Sequence, residues 1–179
     1  MTKTAFFFPG QGSQSLQMMA GFAGEAIVQQ TFDEASDALN QDLWAMITGD
    51  NAEIINQTEN TQPIMLAAGV AVWRVYRQKG GKTPSVLAGH SLGEYTALTV
   101  SGSLNFADAV KLVRMRANLM QTAVPQGKGA MAAVLGLDDN EVIALCGEAA
   151  QGEVVEAVNF NSTGQVVIAG DMAAVNRLQ

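Results

Sequence analysis

The chain has 179 residues, 48% of them hydrophobic and only 15% charged, a balance that suits a folded α/β domain and argues against disorder. Its net charge of -7 argues against nucleic acid as a ligand, and no stretch approaches the ~18 uninterrupted apolar residues of a membrane helix. One cysteine, Cys146, leaves no internal disulfide, and with the single histidine, His90, it is too few for a Cys/His zinc site.

In chain order, Ala5-Phe6-Phe7-Phe8 is an apolar run stopped by Pro9-Gly10, which predicts a strand buried on both faces. The loop Gly10-Gln11-Gly12-Ser13-Gln14 follows at a strand end, where α/β sheets collect their ligands. Helices are predicted from Glu25 to Leu39, around Asp42 to Ile47 and from Ala52 to Asn56. Thr61-Gln62-Pro63 opens a long helix with Pro63 in its first turn, closed by Gly80-Gly81. Ser85 to Ala88 reads as a second buried strand, feeding Gly89-His90-Ser91 and a helix from Leu92 to Val100. Another helix runs from Phe106 to about Val124.

Pro125-Gln126-Gly127-Lys128-Gly129 reads as a linker and sets the domain division at 1-124 and 125-179. Beyond it come strand (Ala130 to Leu137), helix (Asp138 to Ala150), strand (Val154 to Phe160), strand (Gln165 to Ala169) and helix from Asp171. This βαββα order is a ferredoxin-like unit without its last strand. The N-terminus has no signal-like pattern, and the chain reads as cytoplasmic.

Gly89-His90-Ser91-Leu92-Gly93 spells a nucleophile elbow, and the strand before it and helix after it are the context that motif requires. Ser91 is then a nucleophile presented at a helix N-terminus, and the Leu92 N-H is placed for a developing oxyanion. His90 is a poor base for Ser91, because neighbours on so tight a turn project apart, and it reads as a supporting residue beneath the elbow. Gln11 has two readings, a side-chain oxyanion donor or simply part of a good loop.

Arg116 stands out by periodicity. With Phe106 as zero and ~100° per residue, Lys111, Arg114, Asn118 and Gln121 fall on a polar arc of about 60° to 140°, whereas Arg116 falls at ~280° on the apolar stripe. A guanidinium there needs an anion, either an internal Asp or Glu or a substrate carboxylate. Periodicity alone leaves the two even.

Phe8-Pro9-Gly10-Gln11-Gly12-Ser13-Gln14, Thr61-Gln62-Pro63, Gly89-His90-Ser91-Leu92-Gly93-Glu94 and Arg116, with Asn159-Phe160-Asn161-Ser162 and Gly164 to Gly170, resemble the malonyl-CoA:acyl-carrier-protein transacylase family along the whole chain. The resemblance implies a hydrolase-like, parallel-sheet larger subdomain, incomplete here, with an inserted ferredoxin-like smaller one. It implies that Ser91 takes malonyl from coenzyme A as an ester and passes it to the phosphopantetheine thiol of acyl carrier protein. Gln11 and Leu92 would form the oxyanion hole and Arg116 would clamp the malonyl carboxylate. His90, Gln62 and Asn159 match positions on the substrate side. No metal or bound cofactor is implied; the coenzyme A thioester and phosphopantetheine are substrate groups.

The family's catalytic histidine lies beyond the smaller subdomain, so the sequence is expected to be the N-terminal portion of a longer enzyme. Two other readings share the elbow: a serine thioesterase or carboxylesterase, and a carrier-binding module without catalysis. Lys79, Lys82, Lys111, Arg114 and Lys128 are the candidate basic residues for an acidic carrier.

Overall fold

In the computed structural model, which describes residues 3-125 and 127-178, the chain is α/β and divides into two compact units, Met1–Gln121 and Thr122–Gln179. In the first, β1 (Ala5–Phe8) pairs in parallel with β2 (Val86–Gly89), Phe8 standing opposite Gly89. Parallel pairing ends both strands at one edge, so the loops after Phe8 and Gly89 are neighbours. A side chain at Gly10 would press on the His90 carbonyl at 3.0 Å.

Between these strands run α1 (Ala26–Leu39), α2 (Leu43–Thr48), α3 (Ala52–Asn56) and α4 (Thr58–Gln78). After β2 come α5 (Leu92–Val100) and α6 (Phe106–Thr122). Helix α4 is the centre of the core, with every residue from Asn60 to Ala68 buried. Phe32 of α1, Leu43 and Ile47 of α2, Ile55 of α3, Leu92 of α5, and Val110 and Val113 of α6 are buried in the same cluster. Such close burial fixes the side chains that α4 presents at its start.

Helix α4 starts at Thr58, one turn before Thr61, so Pro63 lies inside the helix and leaves the Glu59 carbonyl without its usual donor. The extra turn is held by side chains: Thr61 Oγ1 donates to the Ile55 carbonyl at 2.6 Å, and Asn60 Nδ2 donates to the Ile54 carbonyl at 3.0 Å. Strand β1 is not buried on both faces. Phe6 packs edge-on to Trp73 of α4 and Phe8 is buried, but strand alternation turns Phe7 to the other face, where it is 77% exposed.

The second unit contains β3 (Gly129–Leu135), α7 (Asp139–Ala150), β4 (Val155–Ser162), β5 (Gln165–Asp171) and α8 (Met172–Asn176). The sheet order is β3-β5-β4, with β5 antiparallel to both neighbours, a split βαβ arrangement. Val166 and Ile168 of β5 form its core with Val142, Cys146 and Ala149 of α7 and Ala174 and Val175 of α8. A reciprocal capping box between Asp138 and Glu141 starts α7. Burial, reinforced by Glu156, pushes the Cys146 thiol above its ordinary pKa, which makes it a core residue rather than a nucleophile.

Candidate active site

Strand β2 delivers the chain to Ser91 and α5 leaves from the next residue, so the turn has no room to relax. Ser91 takes φ 52° and ψ -111°, a conformation that L residues rarely adopt. The glycines on either side explain how the turn closes. A Cβ on Gly89 would collide with the backbone of Gly93, and one on Gly93 would collide with the carbonyl of Phe8 in β1.

The turn leaves the Ser91 side chain exposed at the N-terminus of α5. Gly93 N-H is taken by the His90 carbonyl at 2.9 Å and Glu94 N-H by the Ser91 carbonyl at 3.2 Å. Leu92, the first residue of α5, contributes an N-H that has no acceptor within the helix, beside the positive end of the helix dipole.

Arg116 reaches from α6 to this turn. Its Nη2 donates to Ser91 Oγ at 2.9 Å, its Nη1 donates to Gln62 Oε1 at 2.8 Å, and the guanidinium lies 5.5 Å from the centre of the Tyr95 ring. Gln62 is fully buried, and its own Nε2 donates to Met120 Sδ at 3.3 Å. Because arginine offers only donors, this bonding sets Gln62 with its oxygen toward the guanidinium and its nitrogen toward the sulfur. Among the described residues no carboxylate lies within ion-pair distance of Arg116. Among these residues the half-buried cation lies between two neutral acceptors.

Within the polar arc Lys111, Asn118 and Gln121 are exposed, while Arg114 is half-buried against the α1-α2 turn and the start of α4. There Arg114 bonds Gln41 and, at 3.4 Å, Asn60, and its buried Nε has no hydrogen-bond partner among the described residues. Burial lowers its pKa while nearby Glu59 opposes that shift. Lys79, another candidate carrier contact, pairs with Glu25 at 2.6 Å.

Gln11 is exposed beside the elbow, and its side-chain amide donates to Thr58 Oγ1 at 3.2 Å. Gln14 closes the same loop, accepting from Gly12 N-H at 2.8 Å and donating to Asn56 Oδ1 at 2.8 Å. His90 is exposed, and its carbonyl braces the turn by accepting from Gly93 N-H. Asn159 lies on β4 of the second unit and is exposed. Sequence reasoning passed over Tyr95, Met120, Thr58 and Asn56. Two of these carried a signal, since Tyr95 and Met120 stand one helical turn after Ser91 and Arg116.

Among the described residues no three His, Cys, Asp or Glu side chains gather as a metal site, and no helix is long and apolar enough to cross a membrane. What is assembled is a serine hydroxyl at a helix N-terminus with a cation in contact. Such a site can take an acyl group and hold an anion on it.

A profile of the acyl transferase domain matches residues 5-179. Over 178 residues the chain is 57% identical to the malonyl CoA-acyl carrier protein transacylase of Salmonella typhimurium, an alignment covering 99% of this chain and 58% of that protein. An acyl-carrier-protein S-malonyltransferase from Burkholderia pseudomallei superposes with a TM-score of 0.94 at 57% identity, covering 98% of this chain and 57% of that one. A type II PKS acyl-carrier protein in complex with its malonyl-transacylase also matches, with a TM-score of 0.94 at 54% identity over 98% of this chain and 57% of that one. The chain thus spans a little over half the length of these relatives.

Proposed function

Because this chain belongs to the acyl transferase domain family, we propose that it carries the acyl-accepting serine of a malonyl-CoA:acyl-carrier-protein transacylase of fatty acid synthesis. Ser91 Oγ attacks the thioester carbonyl of malonyl-CoA, the C-S bond breaks, and coenzyme A leaves as the thiol with the proton that Ser91 gave up. The phosphopantetheine thiol of acyl carrier protein then attacks the malonyl ester, and the proton returns to Ser91. Each half is an acyl exchange between oxygen and sulfur with no redox change.

The developing oxyanion is assigned to the Leu92 N-H and to Gln11. Arg116 has no proton to accept or release, so its role is electrostatic. When the malonyl carboxylate arrives, the guanidinium exchanges its bond to Ser91 for a two-pronged grip, and Gln62 keeps it aimed. That exchange frees the nucleophile only when the correct acyl group is present. The contact from Arg116 to Ser91, with no carboxylate among the described residues at ion-pair distance, is the observation that carries the reading.

His90 and Asn159 are assigned to the substrate side, and no metal or resident cofactor is called upon. The cytoplasm is the proposed compartment, since the proposed donor is a coenzyme A thioester. The test is to incubate the purified gene product with malonyl-CoA and map the modified peptide by mass spectrometry. Malonyl on the Ser91 peptide, discharged onto added acyl carrier protein and absent in Ser91→Ala, is expected. Free malonate at a rate indifferent to carrier would make it a thioesterase, and no acylation at all would leave a binding module.

A further inference from the structure

We propose that Thr58 is a positioning residue for the oxyanion loop, its hydroxyl oxygen holding the Gln11 carboxamide against the start of α4; this rests on the acyltransferase reading. The loop has little else to fix it, for Gln11, Gly12 and Ser13 are all exposed and Gly12 takes φ 104°. What it has are two tethers to one short stretch, Gln11 to Thr58 and Gln14 to Asn56.

That stretch is itself immobilised from the buried side. Gln57 closes α3 and caps α4 at once, so no slack separates the two helices. Thr61 Oγ1 ties the first turn of α4 to the carbonyls of Ile55 and Gln57, and Asn60 Nδ2 ties it to the Ile54 carbonyl and to Gln57 Oε1 at 3.0 Å. Thr58 therefore offers Gln11 an acceptor whose place is set by the core.

Thr58 and Gln62 are four residues apart and share one face of α4. From that face Thr58 holds Gln11, and Gln62 holds the arginine that touches Ser91. One rigid turn thus sets both the loop that carries an oxyanion donor and the clamp for the substrate carboxylate. Thr58 touches neither the nucleophile nor the acyl group, so its effect belongs to transition-state placement rather than to substrate binding.

The experiment is single-turnover acylation of Ser91 by malonyl-CoA, using the purified gene product. Thr58→Val keeps the shape and removes the acceptor. The acylation rate at saturation is expected to fall roughly 10-fold, with the half-saturating concentration within about twofold of wild type, a pattern of lost transition-state stabilisation. Thr58→Ser should restore the rate, and Thr58→Ala should reproduce the loss should valine not be tolerated. In a Gln11→Ala background Thr58→Val should cost nothing more, because the residue it positions is gone. An unchanged rate in Thr58→Val, or a full loss on top of Gln11→Ala, overturns the proposal. Absence of malonyl-Ser91 in the wild type would overturn the acyltransferase reading instead.

Discussion

The guanidinium of Arg116 donates to Ser91 Oγ across 2.9 Å, joining the middle of α6 to the turn that launches α5. An arginine is an unusual resting partner for a serine proposed as a nucleophile. It supplies positive charge that favours oxygen anions, but it can take no proton from the hydroxyl. With Gln62 as its other acceptor, the cation is held and oriented by neutral groups among the described residues, which suits the proposed grip on an anionic acyl group.

The role of Gln62 follows from its burial. Gln62→Leu should leave the guanidinium without its aiming acceptor and lower the preference for malonyl over acetyl by about 10-fold, the scale of one hydrogen bond to a charged group. Gln62→Glu should lower it further, because an internal carboxylate would then occupy the arginine. Rates of Ser91 acylation with the two coenzyme A esters give both numbers. A Gln62→Glu protein that keeps full malonyl preference contradicts this role.

Backbone strain at the elbow gives a stability prediction with the opposite sign to activity. Ser91 holds a positive φ that glycine adopts freely, so Ser91→Gly should stabilise the fold by about 1 kcal/mol while removing acylation altogether. Urea unfolding of the two proteins measures the difference. Equal or lower stability of the glycine variant would mean that the strain is relieved elsewhere.

Arg114, only two residues from Arg116, should behave differently. It bridges α6 to Gln41 and Asn60, so Arg114→Met should cost stability on the order of 1 to 3 kcal/mol by stranding those polar groups. Malonyl preference should be unchanged, since Arg114 does not reach Ser91. Denaturation and acylation measured on the same sample separate the two arginines.

Much of the elbow was legible in the sequence because its constraint is local. Gly89 and Gly93 are required by backbone approaching backbone, and that need is written in the spacing of glycines about Ser91. Arg116 was legible as an oddity, since periodicity shows when a charge lies on the wrong stripe of its own helix. Periodicity does not show what the other helices bring. Arg114 lies on the polar arc that periodicity gives it, but its partners Gln41 and Asn60 are far away in sequence and could not be read from the helix alone. Phe7 shows a related limit: an apolar run records the burial a strand can use, and among the described residues nothing covers that face. Thr58 owes its part to Gln11, a neighbour in space that lies far away in sequence.

Arg116 is the proposed reader of the acyl group's carboxylate, and the direct measurement is Ser91 acylation by malonyl-CoA against acetyl-CoA in Arg116→Ala. Removing the guanidinium should lower the malonyl-to-acetyl ratio by about 100-fold or more, while acetyl transfer to Ser91 persists, as expected when a desolvated charge pair is lost. Arg116→Lys should recover only part of the ratio, because a point charge lacks the planar two-pronged grip. A ratio unchanged in Arg116→Ala would contradict the account and leave the contact with Ser91 as a structural bond alone.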